Sequence, residues 1–98
     1  MAPVIKPHLA TALSEGALGG NGKRVRNAIL QMRGDGVPVE DIRAHIRGMR
    51  FPRDRTFHEV LQTNLPQRSS LSDAEWRRRK PVDWSEMERF LKQQGLHK

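Results

Sequence analysis

The side chains in this sequence that are best suited to chemistry are its arginines, and the chemistry they offer is the binding of anions. The chain has 98 residues, in which 18 lysines and arginines outnumber 11 aspartates and glutamates and leave a net charge of +7. Thirteen of those cations are arginines, whose planar guanidinium makes paired hydrogen bonds to phosphate or carboxylate groups. The sequence therefore predicts an anionic partner, although a charged surface that only maintains solubility is also compatible with these numbers.

Groups that could perform catalysis or bind a metal do not gather in the sequence. The four histidines stand at positions 8, 45, 58 and 97, without the local spacing of a zinc site, and there is no cysteine. The acidic pair Glu40 and Asp41 falls in the opening turn of a predicted helix, where negative charge complements the helix dipole. We expect no enzyme activity, no metal and no cofactor.

Two groups of cations lie close together along the chain. The first consists of Arg43, Arg47, Arg50, Arg53 and Arg55, with Thr56 beside them, and the second is Arg77, Arg78, Arg79 and Lys80, which stands between Trp76 and Trp84. Cations bind phosphates and aromatic rings stack on unpaired bases, so this combination is typical of nucleic-acid binding. The tryptophans are equally compatible with anchors of the core.

Hydrophobic periodicity and breaker residues divide the chain into three parts. Residues 1–22 are rich in glycine and proline and predict a flexible arm, in which a short helix would be marginal alone. Residues 23–65 predict a core of three helices, over about 23–33, 38–49 and 52–62, with Asn21 as the cap of the first. Residues 66–98 predict a basic extension with two helix starts, marked by Ser72 with Glu75 and by Asp83 with Glu86.

The predicted fold is therefore an all-α bundle of about four or five short helices. The last helix, from Trp84 to about Gln94, carries an apolar face of Trp84, Met87, Phe90 and Leu91 and ends at Gly95. That face either docks on the core or meets a partner. No apolar run approaches the roughly 18 residues that cross a bilayer, and no secretory signal pattern begins the chain, so we expect a cytoplasmic protein without membrane contact.

The centre of the chain resembles the three-helix, helix-turn-helix DNA-binding domains of transposases, resolvases and related bacterial regulators. The resemblance covers about Lys23 to Gln62 and rests on Gly36, Val37, Glu40, Asp41 and Ile42, with Ile46 closing the second helix. It implies a third helix from Pro52 that enters the major groove, with Arg53, Arg55 and Thr56 reading bases and Arg43, Arg47 and Arg50 holding phosphates. The stretch from Gly48 to Pro52 departs from the tight second turn of those domains.

Two functions remain open at this point. The first is a small DNA-binding transcriptional regulator, in which the face of Trp84, Met87, Phe90 and Leu91 could join two copies of the chain and RNA is a further candidate ligand. The second is an inhibitor or adaptor that docks its arginines on an acidic protein, because arginine and tryptophan are also favoured at protein interfaces.

Overall fold

The described part of the chain folds into six α-helices. In the computed structural model, which describes residues 3–98, the helices are α1 (Pro7–Leu18), α2 (Gly22–Gly34), α3 (Val39–Gly48), α4 (Phe57–Asn64), α5 (Asp73–Arg79) and α6 (Trp84–Gln93). No β-strand occurs in that range, which confirms the all-α prediction with more helices than expected. None of the helices within it is long and apolar enough to cross a membrane.

Helix α1 occupies most of the segment predicted to be a flexible arm. It packs on α2 and α4, and its Leu13 is fully buried. Gly16 allows the close approach to α2, because a Cβ at this position would lie 2.8 Å from Cγ2 of Val25. The prediction of an arm over residues 1–22 is therefore wrong for Pro7–Leu18, since tertiary packing stabilises a helix that would be marginal in isolation.

Helices α2 and α3 agree closely with the sequence prediction. Asn21 caps α2 as expected, with its side-chain oxygen accepting a hydrogen bond from the amide of Arg24 at 3.1 Å. Gly36, at φ 85°, ends that helix, and the amide of Val37 donates to the carbonyl of Met32 at 3.1 Å. The α2–α3 connection is thus the short glycine turn that the sequence indicates.

The segment between α3 and α4 differs from the prediction. A helix was expected from Pro52, but α4 begins at Phe57. Arg53 and the aspartate after it adopt left-handed backbone angles, with φ of 67° and 60°, and the amide of Phe51 donates to the carbonyl of Arg55 at 3.0 Å. These angles and this bridge form a tight loop in place of the first turn of the expected recognition helix. The structure therefore does not show the expected helix-turn-helix centre, and of the three helices expected there only α2 and α3 lie where the sequence predicts them.

The C-terminal helices begin at the predicted caps. The amide of Glu75 donates to Oγ of Ser72 at 3.2 Å, and the amide of Glu86 donates to Oδ1 of Asp83 at 2.8 Å. Helix α6 packs against α2, so this part of the chain folds back on the core. Helix α5 contains no buried residue.

Candidate functional site

A basic groove lies between α3, the start of α4 and the last residues of the chain. Its volume is about 400 Å³. The lining residues, which define the basic groove below, are Arg43, Ile46, Arg47, Arg50, Thr56, Phe57, His58, Leu96, His97 and Lys98. Three of them are buried apolar side chains that form part of the core, and none of the ten has an acidic side chain. The groove is thus an apolar floor with a positively charged rim.

Helix α3 supplies most of the positive charge. Arg43 and Arg47 are one helical turn apart, and Arg50 follows the end of the helix. Arg50 Nη1 donates to the backbone carbonyls of Arg47 and Met49 at 2.6 and 2.8 Å. Because the last carbonyls of a helix lack partners within it, this contact caps α3 and fixes Arg50 at the edge of the groove.

The end of α6 brings the C-terminal residues to the same place. Gly95 has a φ of 74°, which reverses the chain, and the amide of Leu96 then donates to the carbonyl of Leu91 at 2.8 Å. Arg43 donates to the Gly95 carbonyl from α3. Leu96 is buried, so the two residues after it, an exposed histidine and an exposed lysine, line the basic groove.

His58 forms a wall of the groove and has a defined tautomer. Its Nε2 lies 2.8 Å from the carbonyl oxygen of Leu96, and because a carbonyl only accepts, Nε2 carries the hydrogen. Burial lowers the pKa of the His58 imidazole below its ordinary value of 6.5, the Leu96 hydrogen bond opposes this, and the nearby Lys98 and His97 lower it further. His58 is therefore neutral at pH 7 and shapes the groove without adding charge.

The structure brings together only part of the first predicted group of cations. Arg43, Arg47 and Arg50 line the groove together with Thr56, whose hydroxyl accepts from the amide of Glu59 at 3.3 Å and so caps α4. The other two predicted base readers, at positions 53 and 55, belong to the tight loop and do not line the groove. The expected row of readers on one helix is therefore wrong.

Sequence reasoning missed three residues of the groove, which are His58, His97 and Lys98. His58 is far from the other two in the sequence, so no local pattern joins the three. The available signal was the glycine at position 95, which predicts that the chain turns back after α6.

The second predicted group of cations lies apart from the groove. Arg77, Arg78, Arg79 and Lys80 are exposed at the end of α5. They belong to residues 67–82, which we call the α5 segment. Within it, Arg68 stacks over the ring of Trp76 at 4.8 Å and bonds to Oδ1 of Asp73 at 2.8 Å. These contacts order the first part of the α5 segment, and the four exposed cations lie near its C-terminal end.

The predicted partner face on α6 is only partly exposed. Met87 and Leu91 are 0% and 1% exposed and belong to the core of the chain itself. Trp84 and Phe90 are half-buried. Of the two alternatives for this face, docking on the core therefore holds for Met87 and Leu91, which are not available to a second copy of the chain.

Some of the cations outside the groove form ion pairs. Arg24 pairs with Glu15 at 2.9 Å, and Arg26 pairs with Glu86 at 3.4 Å. Within residues 3–98, none of the arginines or the lysine of the basic groove forms an ion pair. In the same range, no group of three or more potential ligand residues is placed to hold a metal ion.

A second cavity adjoins the basic groove. Its volume is about 430 Å³, and we call it the Trp84 pocket. Its lining residues are His58, Glu59, Gln62, Trp84, Glu88, Leu91, Lys92, His97 and Lys98. His58, His97 and Lys98 line both cavities and form their common wall.

Comparisons with models of known protein families, with curated proteins and with solved structures gave no match for this chain.

Proposed function

We propose that this protein binds nucleic acid, with DNA as its first ligand, by holding backbone phosphates in the basic groove. The observation that supports this most directly is the composition of the groove, in which three arginines and a lysine line one concavity that has no acidic side chain among its lining residues. Cations that are not neutralised by neighbouring acids attract a polyanion. When they bind its phosphates, counterions are released from the nucleic acid, and this release drives binding. In a transcription regulator, this contact would hold the protein on its DNA.

The proposed contact is with the backbone rather than with base edges in a duplex. A recognition helix needs its first turn in the major groove, and the arginine proposed to begin it, Arg53, stands instead in a left-handed turn. Phosphate contacts position a protein on DNA without reading sequence. We therefore expect weak sequence preference in duplex DNA.

The exposed cations of the α5 segment provide a second contact in this proposal. Because α5 buries no side chain, its three consecutive arginines and Lys80, which follows it, are available to a ligand without any rearrangement of the core. Two separated basic surfaces on one chain would hold one strand more tightly than either does alone, provided that the strand spans both.

Fluorescence anisotropy with a labelled duplex at several salt concentrations tests the proposal. The logarithm of the affinity should fall linearly with the logarithm of the salt concentration, with a slope of about −0.9 for each phosphate contacted. A single-stranded RNA competitor shows whether RNA is preferred. The absence of DNA or RNA binding at low salt would overturn the proposal and would favour an acidic protein partner.

A further inference from the structure

The Trp84 pocket and the basic groove form one surface with two different chemistries. The groove has cationic but no acidic side chains, whereas the pocket has the carboxylates of Glu59 and Glu88 together with Lys92 and Lys98. The two carboxylates repel phosphates and offset the two lysines, so the pocket lacks the surplus of positive charge that attracts phosphates to the groove. The two cavities meet at His58, His97 and Lys98, and a ligand that lies in the groove is therefore adjacent to the pocket.

The aromatic ring in the pocket belongs to Trp84, whose backbone is fixed by the start of α6. Trp84 is the first residue of α6, directly after the cap Asp83, and its amide donates to the carbonyl of Pro66 at 3.0 Å. The side chain is half-buried, and the buried Leu91 on the next turns of α6 adds apolar lining. An indole on a rigid helix start provides a stacking surface for a planar ligand.

Polar groups around the ring match the edges of particular bases. Carboxylates accept hydrogen bonds from the exocyclic amino groups of cytosine, adenine and guanine, which thymine lacks. Glu88 is exposed, and Glu59 accepts from the hydroxyl of Thr56 at 3.1 Å, which fixes its orientation. The volume of the pocket lies within the range of about 300 to 1,000 Å³ that is usual for small-ligand sites.

We propose that the Trp84 pocket holds an unpaired base of a DNA strand whose phosphates lie in the basic groove, with a preference for bases that carry an amino group. This inference rests on the proposed function, because the groove must hold the strand. The bases of a duplex are paired and stacked, and taking one out costs free energy. The preferred ligand is therefore a single strand, or a duplex with an unpaired end.

The fluorescence of Trp84 tests the inference. The chain has two tryptophans, so Trp76→Phe leaves Trp84 as the only one and keeps an aromatic ring beneath Arg68. This variant is titrated with short oligodeoxycytidylate and with an abasic strand that has the same number of phosphates. We expect the cytidylate to quench Trp84 and to bind about tenfold more tightly than the abasic strand.

A carboxylate variant with a matched control tests the base preference. Glu88→Ala should remove most of the preference for oligodeoxycytidylate over oligothymidylate. Glu40→Ala, which makes the same change of charge at an exposed position of α3, should leave that preference intact. An equal loss of preference in both variants would overturn a specific role for Glu88 and, with it, the proposed base contact.

The remaining outcomes separate this inference from the proposed function. Equal affinity for cytidylate and abasic strands, without quenching of Trp84, would overturn the base pocket and leave the groove proposal standing. The absence of binding to either strand at low salt would overturn both. Deoxycytidine monophosphate should compete only weakly. Competition by the free nucleotide as strong as that of the strand would show that the pocket serves small nucleotides, and would overturn the inference.

Discussion

Arg43 on α3 donates two hydrogen bonds to the backbone carbonyl of Gly95, from Nε at 3.1 Å and from Nη2 at 2.8 Å. The two residues are 52 positions apart in the sequence. This forked contact joins α3 to the turn that follows α6 and so holds both sides of the basic groove together. Arg43 is half-buried, and its primary role in the free protein is structural.

The first prediction concerns this contact. Arg43→Lys keeps the charge but cannot make both hydrogen bonds, because the lysine ammonium lacks the fork. We expect the free energy of unfolding in urea to fall by about 1–2 kcal/mol. Arg33→Lys, at an exposed position on α2, is the matched control and should change stability by less than about 0.5 kcal/mol. Equal stability of the two variants would show that the fork contributes nothing.

The second prediction separates binding from stability in the groove. Arg47 and Lys98 are exposed residues of the groove. Their double replacement by alanine should weaken DNA binding, and the magnitude of the logarithmic salt slope should fall by about 1 for each lost phosphate contact. The free energy of unfolding should change by less than about 1 kcal/mol in total.

The control for this double variant is Arg33→Ala combined with Lys23→Ala. It removes the same charge from exposed positions on α2, outside the groove. If both double variants lowered the affinity and the slope equally, binding would follow net charge alone and the groove would have no special role.

The third prediction concerns the α5 segment. Replacing Arg77, Arg78 and Arg79 together by glutamine should lower the magnitude of the salt slope by up to about 3, as each phosphate contact is lost. Circular dichroism and urea denaturation should show little change in the core, because α5 buries no side chain. An unchanged slope would confine the DNA contact to the basic groove.

The fourth prediction concerns the tight loop between α3 and α4. Arg53 has a φ of 67°, a conformation that costs a residue with a side chain about 1–2 kcal/mol. Arg53→Gly relieves this cost, partly offset by the entropy of glycine, and should raise the free energy of unfolding by up to about 1 kcal/mol. Arg55→Gly, at an ordinary φ of −75°, should instead lower it. A lower free energy of unfolding for Arg53→Gly than for Arg55→Gly would show that the loop is not strained.

The fifth prediction concerns pH. The pKa of His58 is lower in the folded protein than the value of about 6.5 expected in the unfolded chain. Above pH 6.5 both states are neutral at this residue and its contribution to stability is complete. As the pH falls towards the lowered pKa, the unfolded state binds more protons, and stability is lost.

Denaturation at pH 7.5 and 5.5 measures this effect. The wild-type protein should lose more stability over this interval than His58→Gln, in which the amide can still donate to the Leu96 carbonyl. His8→Gln, at an exposed position of α1, is the control and should behave like the wild type. Identical pH dependence in all three proteins would contradict the assignment.

Features that depend on neighbouring residues were predictable from the sequence. The caps Asn21, Ser72 and Asp83 each accept a hydrogen bond from an amide three residues later, so the pattern is contained within one turn. Gly36 and Gly95 mark helix ends for the same local reason. Four of the six helices were placed in this way to within about two residues at their starts.

Features that depend on distant contacts were not predictable. The glycines and prolines of residues 1–22 predict a flexible arm, but at Gly16 the lack of a side chain is what allows α1 to approach Val25. The groove residue Lys98 reaches α3 only through the turn at Gly95 and the bond from Arg43. Such relationships are set by tertiary packing, which no periodicity within a single helix specifies.

The hydrogen bond from the Trp84 amide to the Pro66 carbonyl joins the two ends of the segment that carries α5. The chain leaves the core at Pro66 and returns at the buried Val82, and this 3.0 Å bond, two residues later, holds the exit and the return together. Residues 67–81, which include α5, form an appendage between these two points, and it can be lengthened, exchanged or fitted with a label while the body formed by the other five helices keeps its shape. Divergence of related chains in length and charge should therefore concentrate in this appendage.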